Sequence, residues 1–100
     1  NRIIVLPLQS KLNNMKMHKQ FKIGEYAIGG IIDVTIKDNE ITIACLDYNT
    51  KNKIVGETFD ANGRDSDFAI SQTLHEYTSS YYADKVFDYI KQHVMFKQSW

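Results

Sequence analysis

The 100-residue chain contains one cysteine, one proline and five glycines, and its 12 basic residues are balanced by 12 acidic ones. A single thiol, Cys45, excludes an internal disulfide and a thiolate metal site, and it fits a reducing, cytoplasmic setting. The charge balance leaves no bulk field to draw in a phosphate backbone, so nucleic-acid binding would have to rest on local segregation of charge. Long hydrophobic runs are missing as well. The longest is Ile3-Ile4-Val5-Leu6, followed by Pro7-Leu8. It is far shorter than the ~20 residues of a membrane span, and no membrane partner is expected. Gly24, Gly29 and Gly30 do not make a phosphate loop.

What is present is 43% hydrophobic and 24% charged residues, an ordinary globular mixture for one domain with one modest core. Residues 1–8, NRIIVLPL, read as a short strand that ends near Pro7 or lies at a sheet edge. Residues 9–20 carry few packing anchors and read as a loop, made basic by Lys11, Lys16, His18 and Lys19. From Tyr26 to Ile36 the even positions are Tyr, Ile, Gly, Ile, Val and Ile, a period of two that predicts a half-buried strand. Gly29-Gly30 within it predict a bulge or bend. Asp38-Asn39 tolerates the positive φ of a two-residue hairpin turn. That turn sets the register: Lys37 opposite Glu40, Ile36 opposite Ile41, Val34 opposite Ile43, Ile32 opposite Cys45, and Asp33 opposite Ala44.

A third strand over residues 53–59 folds back on the second, with Asp47 facing Lys53, Leu46 facing Ile54, Cys45 facing Val55 and Ile41 facing Phe59. Ile31, Leu46 and Ile54 then give the second sheet face apolar members of its own. Residues 60–67 are a loop. Residues 67–71 alternate and are expected as a strand, and Thr73 with Glu76 has the form of a capping box opening a helix. Farther on, Tyr82, Val86, Tyr89, Ile90, His93 and Val94 form one helical stripe. The expected fold is α+β: an antiparallel meander of four to five strands over residues 21–71, preceded by the N-terminal strand and basic loop of residues 1–20. A C-terminal helical region over residues 73–96 packs on one sheet face.

Chemical motifs are sparse. A strand Asp followed by a hairpin resembles the core of restriction-type nucleases, whose next strand supplies an acidic residue, a spacer and a lysine. Here that place reads Cys45-Leu46-Asp47, without the lysine, and the register sends Asp33 and Asp47 to opposite faces. His18, His75 and His93 lack zinc-site spacing, and His75-Glu76 has no second histidine one turn on. Cys45 falls in an aliphatic row, where a thiol is buried and inert. Ser79-Ser80 read as a helix entry or kink. No catalytic residue, metal or cofactor is expected. A small hydrolase or nuclease would require Asp33, Asp47, Glu57 or His75 to converge in one cleft.

Aromatics are the surplus: six Tyr and five Phe, with five rings concentrated in residues 75–89. One helix face cannot bury Tyr77, Tyr81, Tyr82, Phe87 and Tyr89 together, so either the sheet wraps round the helix or some rings remain at the surface, where they would mark an interface. The leading expectation is therefore a small non-enzymatic binding protein of inhibitor, immunity or accessory type. It would act through contacts with a protein partner or with a second copy as a homodimer, using Tyr77, Tyr81, Tyr82, Phe87 and Trp100. The alternative is a single-stranded nucleic-acid module. A sheet opened by Phe21-Lys22-Ile23-Gly24-Glu25-Tyr26 and followed by a helix resembles, in element order, transcription coactivators that bind single strands as dimers. Lys16, Lys19, Lys22, Lys51, Lys53 and Arg64 would serve that role, and it requires aromatic rings beside cations on the sheet face.

Overall fold

A computed structural model describes residues 16–97; the expected strand at residues 1–8 and Trp100 lie outside them. Four strands, β1 (Lys16–Lys22), β2 (Gly30–Lys37), β3 (Glu40–Asp47) and β4 (Lys53–Asp60), form an antiparallel sheet in sequential order. Two helices follow, α1 (Ser66–Tyr77) and α2 (Ser80–His93). The fold is α+β, an antiparallel sheet followed by helices.

The β2–β3 hairpin has the register that the Asp38-Asn39 turn predicts. Lys37 pairs with Glu40, Ile36 with Ile41, Val34 with Ile43, Asp33 with Ala44 and Ile32 with Cys45. Asp38 takes the positive φ, 56°. A one-residue slip would put the two aliphatic rows on opposite faces and turn one of them out of the core, which is why the pattern fixes the pairing so firmly. Those rows meet Ile70, Leu74 and Tyr77 of α1 and Ala83, Val86 and Ile90 of α2 in one buried cluster. Each fully buried Ile or Val contributes about 1.5–3 kcal/mol relative to an exposed one.

The third strand follows its expected register at Cys45–Val55 and Ile41–Phe59, then departs from it. Lys53 pairs with Leu46 rather than Asp47, and Ile54 is left over as a bulge residue. The cause lies in the connection. The Asp47 carboxylate accepts the backbone N–H groups of Asn49 (3.0 Å) and Thr50 (2.8 Å), and the Asp47 N–H donates to Asn52. Asp47 thus closes the turn instead of extending the ladder.

Four other segments differ from expectation. Residues 16–20, expected as loop, belong to β1. Met17 and Phe21 pack on the core, and Lys19 between them lays its ammonium 5.2 Å from the Phe21 ring centroid and 5.9 Å from that of Tyr89. A lysine with its stem along an apolar row hides the strand's alternation. Tyr26 and Ile28, expected in the buried strand row, precede β2 in an exposed connection. Gly24–Tyr26 form a 3-10 turn, and Gly29 and Gly30 bend the chain with φ of 74° and 109°. Residues 67–71, expected as strand, are the first turns of α1, so Thr73 lies inside that helix and not at its start. Ile70, Leu74 and Tyr77 share its buried face, whereas Phe68 is 63% exposed. Finally, the C-terminal region is two helices, because Thr78 and Ser79 are extended. Ser79 is the N-cap of α2, which is the helix entry its sequence suggested. His93, expected at the packed edge of the α2 stripe, is exposed, its ring 4.7 Å from that of Tyr89.

Candidate protein-contact surface

Antiparallel order brings the β1–β2 and β3–β4 connections to the same end of the sheet. The break between α1 and α2 is tied to that end by backbone bonds. The Ile28 N–H donates to the Tyr77 carbonyl (2.9 Å), the Ser79 N–H to the Tyr26 carbonyl (3.3 Å), and the Thr78 hydroxyl to the same Tyr26 carbonyl. Ala27 and Thr78 form an isolated β-bridge. Those two chain reversals are thereby fastened together, and the Tyr48 N–H ties the β3–β4 connection to them by donating to the Gly29 carbonyl (2.7 Å).

Large apolar side chains collect there. The Tyr26 and Tyr82 ring centroids are 5.6 Å apart, and Tyr81 meets Tyr82 edge-on at 5.0 Å. Tyr26 is 53% exposed and Tyr81 62%, with Tyr82 half-buried between them. Exposed Ile28 follows Tyr26 in the chain. Gly29 lies so close to Ile54, and Gly30 to Tyr48, that a Cβ atom on either glycine would collide with its neighbour's side chain. Ile54 and Tyr48 are themselves about half exposed. The result is a run of six residues, Tyr26, Ile28, Tyr48, Ile54, Tyr81 and Tyr82, across one end of the molecule. Two lysines edge it: Lys51 Nζ is 5.3 Å from the Tyr48 ring centroid and Lys85 Nζ 4.8 Å from that of Tyr81.

Of the five residues expected at an interface, Tyr81 and Tyr82 are in this run. Tyr77 is in the buried core, where burial raises its hydroxyl pKa, with Cys45 and Glu57 adding to the effect. Phe87 packs against the core and approaches Phe96, with Lys91 over its ring. Tyr26, Ile28, Tyr48 and Ile54 were not anticipated. The first two sit in an alternating pattern that suits a buried row, and only Gly29-Gly30 signals the bend that turns them outward.

The proposed catalytic groups are dispersed. Asp33 lies on the sheet face away from the helices, where its carboxylate meets His18 Nε2 at 2.5 Å and accepts from the Gln20 amide at 3.0 Å. Glu57 is on the helix side of β4, accepting weakly from the Thr73 hydroxyl (3.4 Å). Asp47 closes its turn, and its pKa is lowered by the Thr50 and Asn49 amides. His75 contacts the Ser71 carbonyl in its own helix and lies 3.9 Å from Asp84. Burial raises the Cys45 thiol to about 11. Among the described residues no group of three or more His, Cys, Asp or Glu is placed to hold a metal ion.

The cations of the nucleic-acid alternative are also divided. Lys16, Lys19 and Lys22 are on β1 at one sheet edge, Lys51 and Lys53 at or near β4 at the other, and Arg64 in the loop before α1, 3.9 Å from Asp65. Among the described residues of β1–β4, the sheet face away from the helices presents no Phe, Tyr or Trp. No helix among the described residues is long and apolar enough to cross a membrane. No protein-family model matches the chain, and comparison with curated proteins and with solved structures finds no match.

Proposed function

We propose that the chain is a small binding protein that works through protein contacts, and that the aromatic end of the sheet is its contact surface. The observation that carries this reading is the Tyr26–Tyr82–Tyr81 ring cluster, whose outer members are more than half exposed on a backbone fastened by three cross-connection hydrogen bonds. Tyrosine is enriched at interface centres because it offers a large apolar face with a polar tip. The Lys51 and Lys85 ammonium groups beside the rings supply a polar rim.

The test is capture from host lysate with the tagged full-length chain, compared with a Tyr26→Ser/Tyr81→Ser variant. Phe68→Ser is the control, because it removes an equally exposed ring from the far end of α1. The reading expects a discrete partner that is lost with the double variant and kept with the control, at unchanged thermal stability. Equal capture by all three proteins would refute it.

A further inference from the structure

The sheet face away from the helices is buried in one place. Leu46 stands opposite Ile31 there, and Ala44 opposite Asp33. Neither Ile31 nor Ala44 belongs to the cluster that the helices cover. Yet Ile31 is 0% exposed and Ala44 5%. Towards the Asp38-Asn39 turn the same face is open, with Lys16, Lys37 and Glu40 all exposed. Strand side chains stand roughly perpendicular to the sheet, so cross-strand neighbours shield one another from the side and not from above. A large side chain with no accessible surface therefore has a layer over it. Both described helices pack on the other face. The burial is that of a single copy, so the cover belongs to the chain itself.

Reach decides which part of the chain can supply it. Residues 98–100 start from Lys97, whose N–H donates to the Ala61 carbonyl (3.3 Å), next to the Glu40–Asp60 pair. Ile31 is opposite Leu46, six residues along β3 from Glu40 and about 20 Å away. Three residues span at most about 11 Å, too short even with the Trp100 side chain. Residues 1–15 join the sheet at Lys16, which pairs with Lys37, also about 20 Å from Ile31 along the strands. The eight steps from Lys16 back to Leu8 span up to about 26–29 Å, enough to bring Leu8 and the residues before it over the patch. Residues 3–8 carry Ile3, Ile4, Val5, Leu6 and Leu8 and no charge. We infer that this face is the docking site of the chain's own Ile3–Leu8 segment, which covers Ile31, Ala44 and Leu46. The polar groups beside the patch tolerate an apolar cover. The Asp33 carboxylate accepts from the Gln20 amide and meets His18 Nε2, so it keeps hydrogen-bond partners when water is removed.

A methyl NOE spectrum of the full chain tests the proposal. Cross-peaks are expected from the Ile31 and Leu46 methyls to methyls of residues 3–8. Ile4→Ser/Val5→Ser alters two adjacent side chains, so it weakens the contact whichever of them faces the sheet. It should shift the Ile31, Ala44 and Leu46 methyl signals, leave those of Ile70 and Ile90 in place, and lower the Tm by ~4 °C or more. Absence of cross-peaks between residues 3–8 and this patch overturns the inference. Cross-peaks from Ile31 to Trp100 overturn it too, as do cross-peaks seen only between labelled and unlabelled copies, which would make a second copy the cover. The Tyr26/Tyr81 capture experiment involves none of these residues, so the two readings fail separately.

Discussion

Phe68 and Ile70 stand two residues apart, and their relative energetic weight decides how the segment after residue 65 is built. In a strand, residues i and i+2 share a face and would be buried or exposed together. In α1 they are separated by about 200° around the axis: Ile70 is fully buried and Phe68 is 63% exposed. Ile70→Ala removes three buried carbons from the cluster that joins α1 to the sheet, at a cost of about 2–5 kcal/mol. A domain of this size has roughly 5–15 kcal/mol in total, so the variant should lose a substantial part of its stability. At about 4–8 °C per kcal/mol, its Tm should fall by at least ~8 °C. Phe68→Ala deletes a larger side chain, yet it should change stability by no more than ~0.5 kcal/mol, because most of that ring is already in water and alanine favours the helix. Urea unfolding followed by circular dichroism, with the two variants measured beside the wild type, gives both numbers. Losses of similar size in the two variants would refute the helical placement and restore the strand.

Three further outcomes follow from the same geometry. Gly29→Ala should cost about 2–4 kcal/mol, since its Cβ would lie 2.4 Å from Ile54 Cδ1 and 2.6 Å from the Leu46 carbonyl oxygen at a φ of 74°. Gly24→Ala, at a φ of 69° with open space around it, should cost only the ~1–2 kcal/mol of backbone strain, and denaturant melts of the two will separate clash from strain. The Cys45 thiol, raised from 9.0 to about 11 by burial, should resist a thiol-specific reagent at pH 8 until the chain is unfolded; its neutral form favours the folded state below pH 9, and that contribution is lost as the pH rises towards 11. Asp47, whose pKa is lowered by the Thr50 and Asn49 amides, contributes stability above its ordinary value of 3.8 and loses it as the pH falls through the lowered one, so Asp47→Ala should flatten the acid end of a stability-versus-pH curve.

The β2–β3 hairpin was legible in the sequence because two independent signals agreed: an uninterrupted aliphatic alternation and a turn pair that fixes the pairing arithmetic. Where only one signal is present, it fits more than one structure. β1 alternates too, but the middle of its core-facing row is Lys19, whose aliphatic stem packs while its charge rests over two rings. The start of α1 carries both periods at once. Phe68 and Ile70 suit a strand, while Ile70, Leu74 and Tyr77 suit a helix, and only contact with the sheet decides between them. The bulge at Ile54 was hidden because Asp47 could equally well pair with a lysine or cap a turn, and two backbone amides won.

The surplus of rings was legible as composition but not as location, because location depends on a long-range contact. Tyr26 and Tyr82 are far apart in sequence and meet only because the α1–α2 break returns to the β1–β2 connection. That contact also bears on what the surface can do. Binding loses affinity to the ordering of loops and side chains, and a surface ordered beforehand loses less. Here the connection carrying Tyr26 and Ile28 is held at Tyr77, Thr78 and Ser79 by backbone and hydroxyl hydrogen bonds, and the exposed rings brace one another through Tyr82. Tyrosine has few rotamers to lose, so less of the energy of covering this end is spent on ordering its side chains. A floppy loop bearing the same residues would bind more weakly, and for that reason Thr78, which touches no partner in this reading, is a positioning residue of the proposed surface.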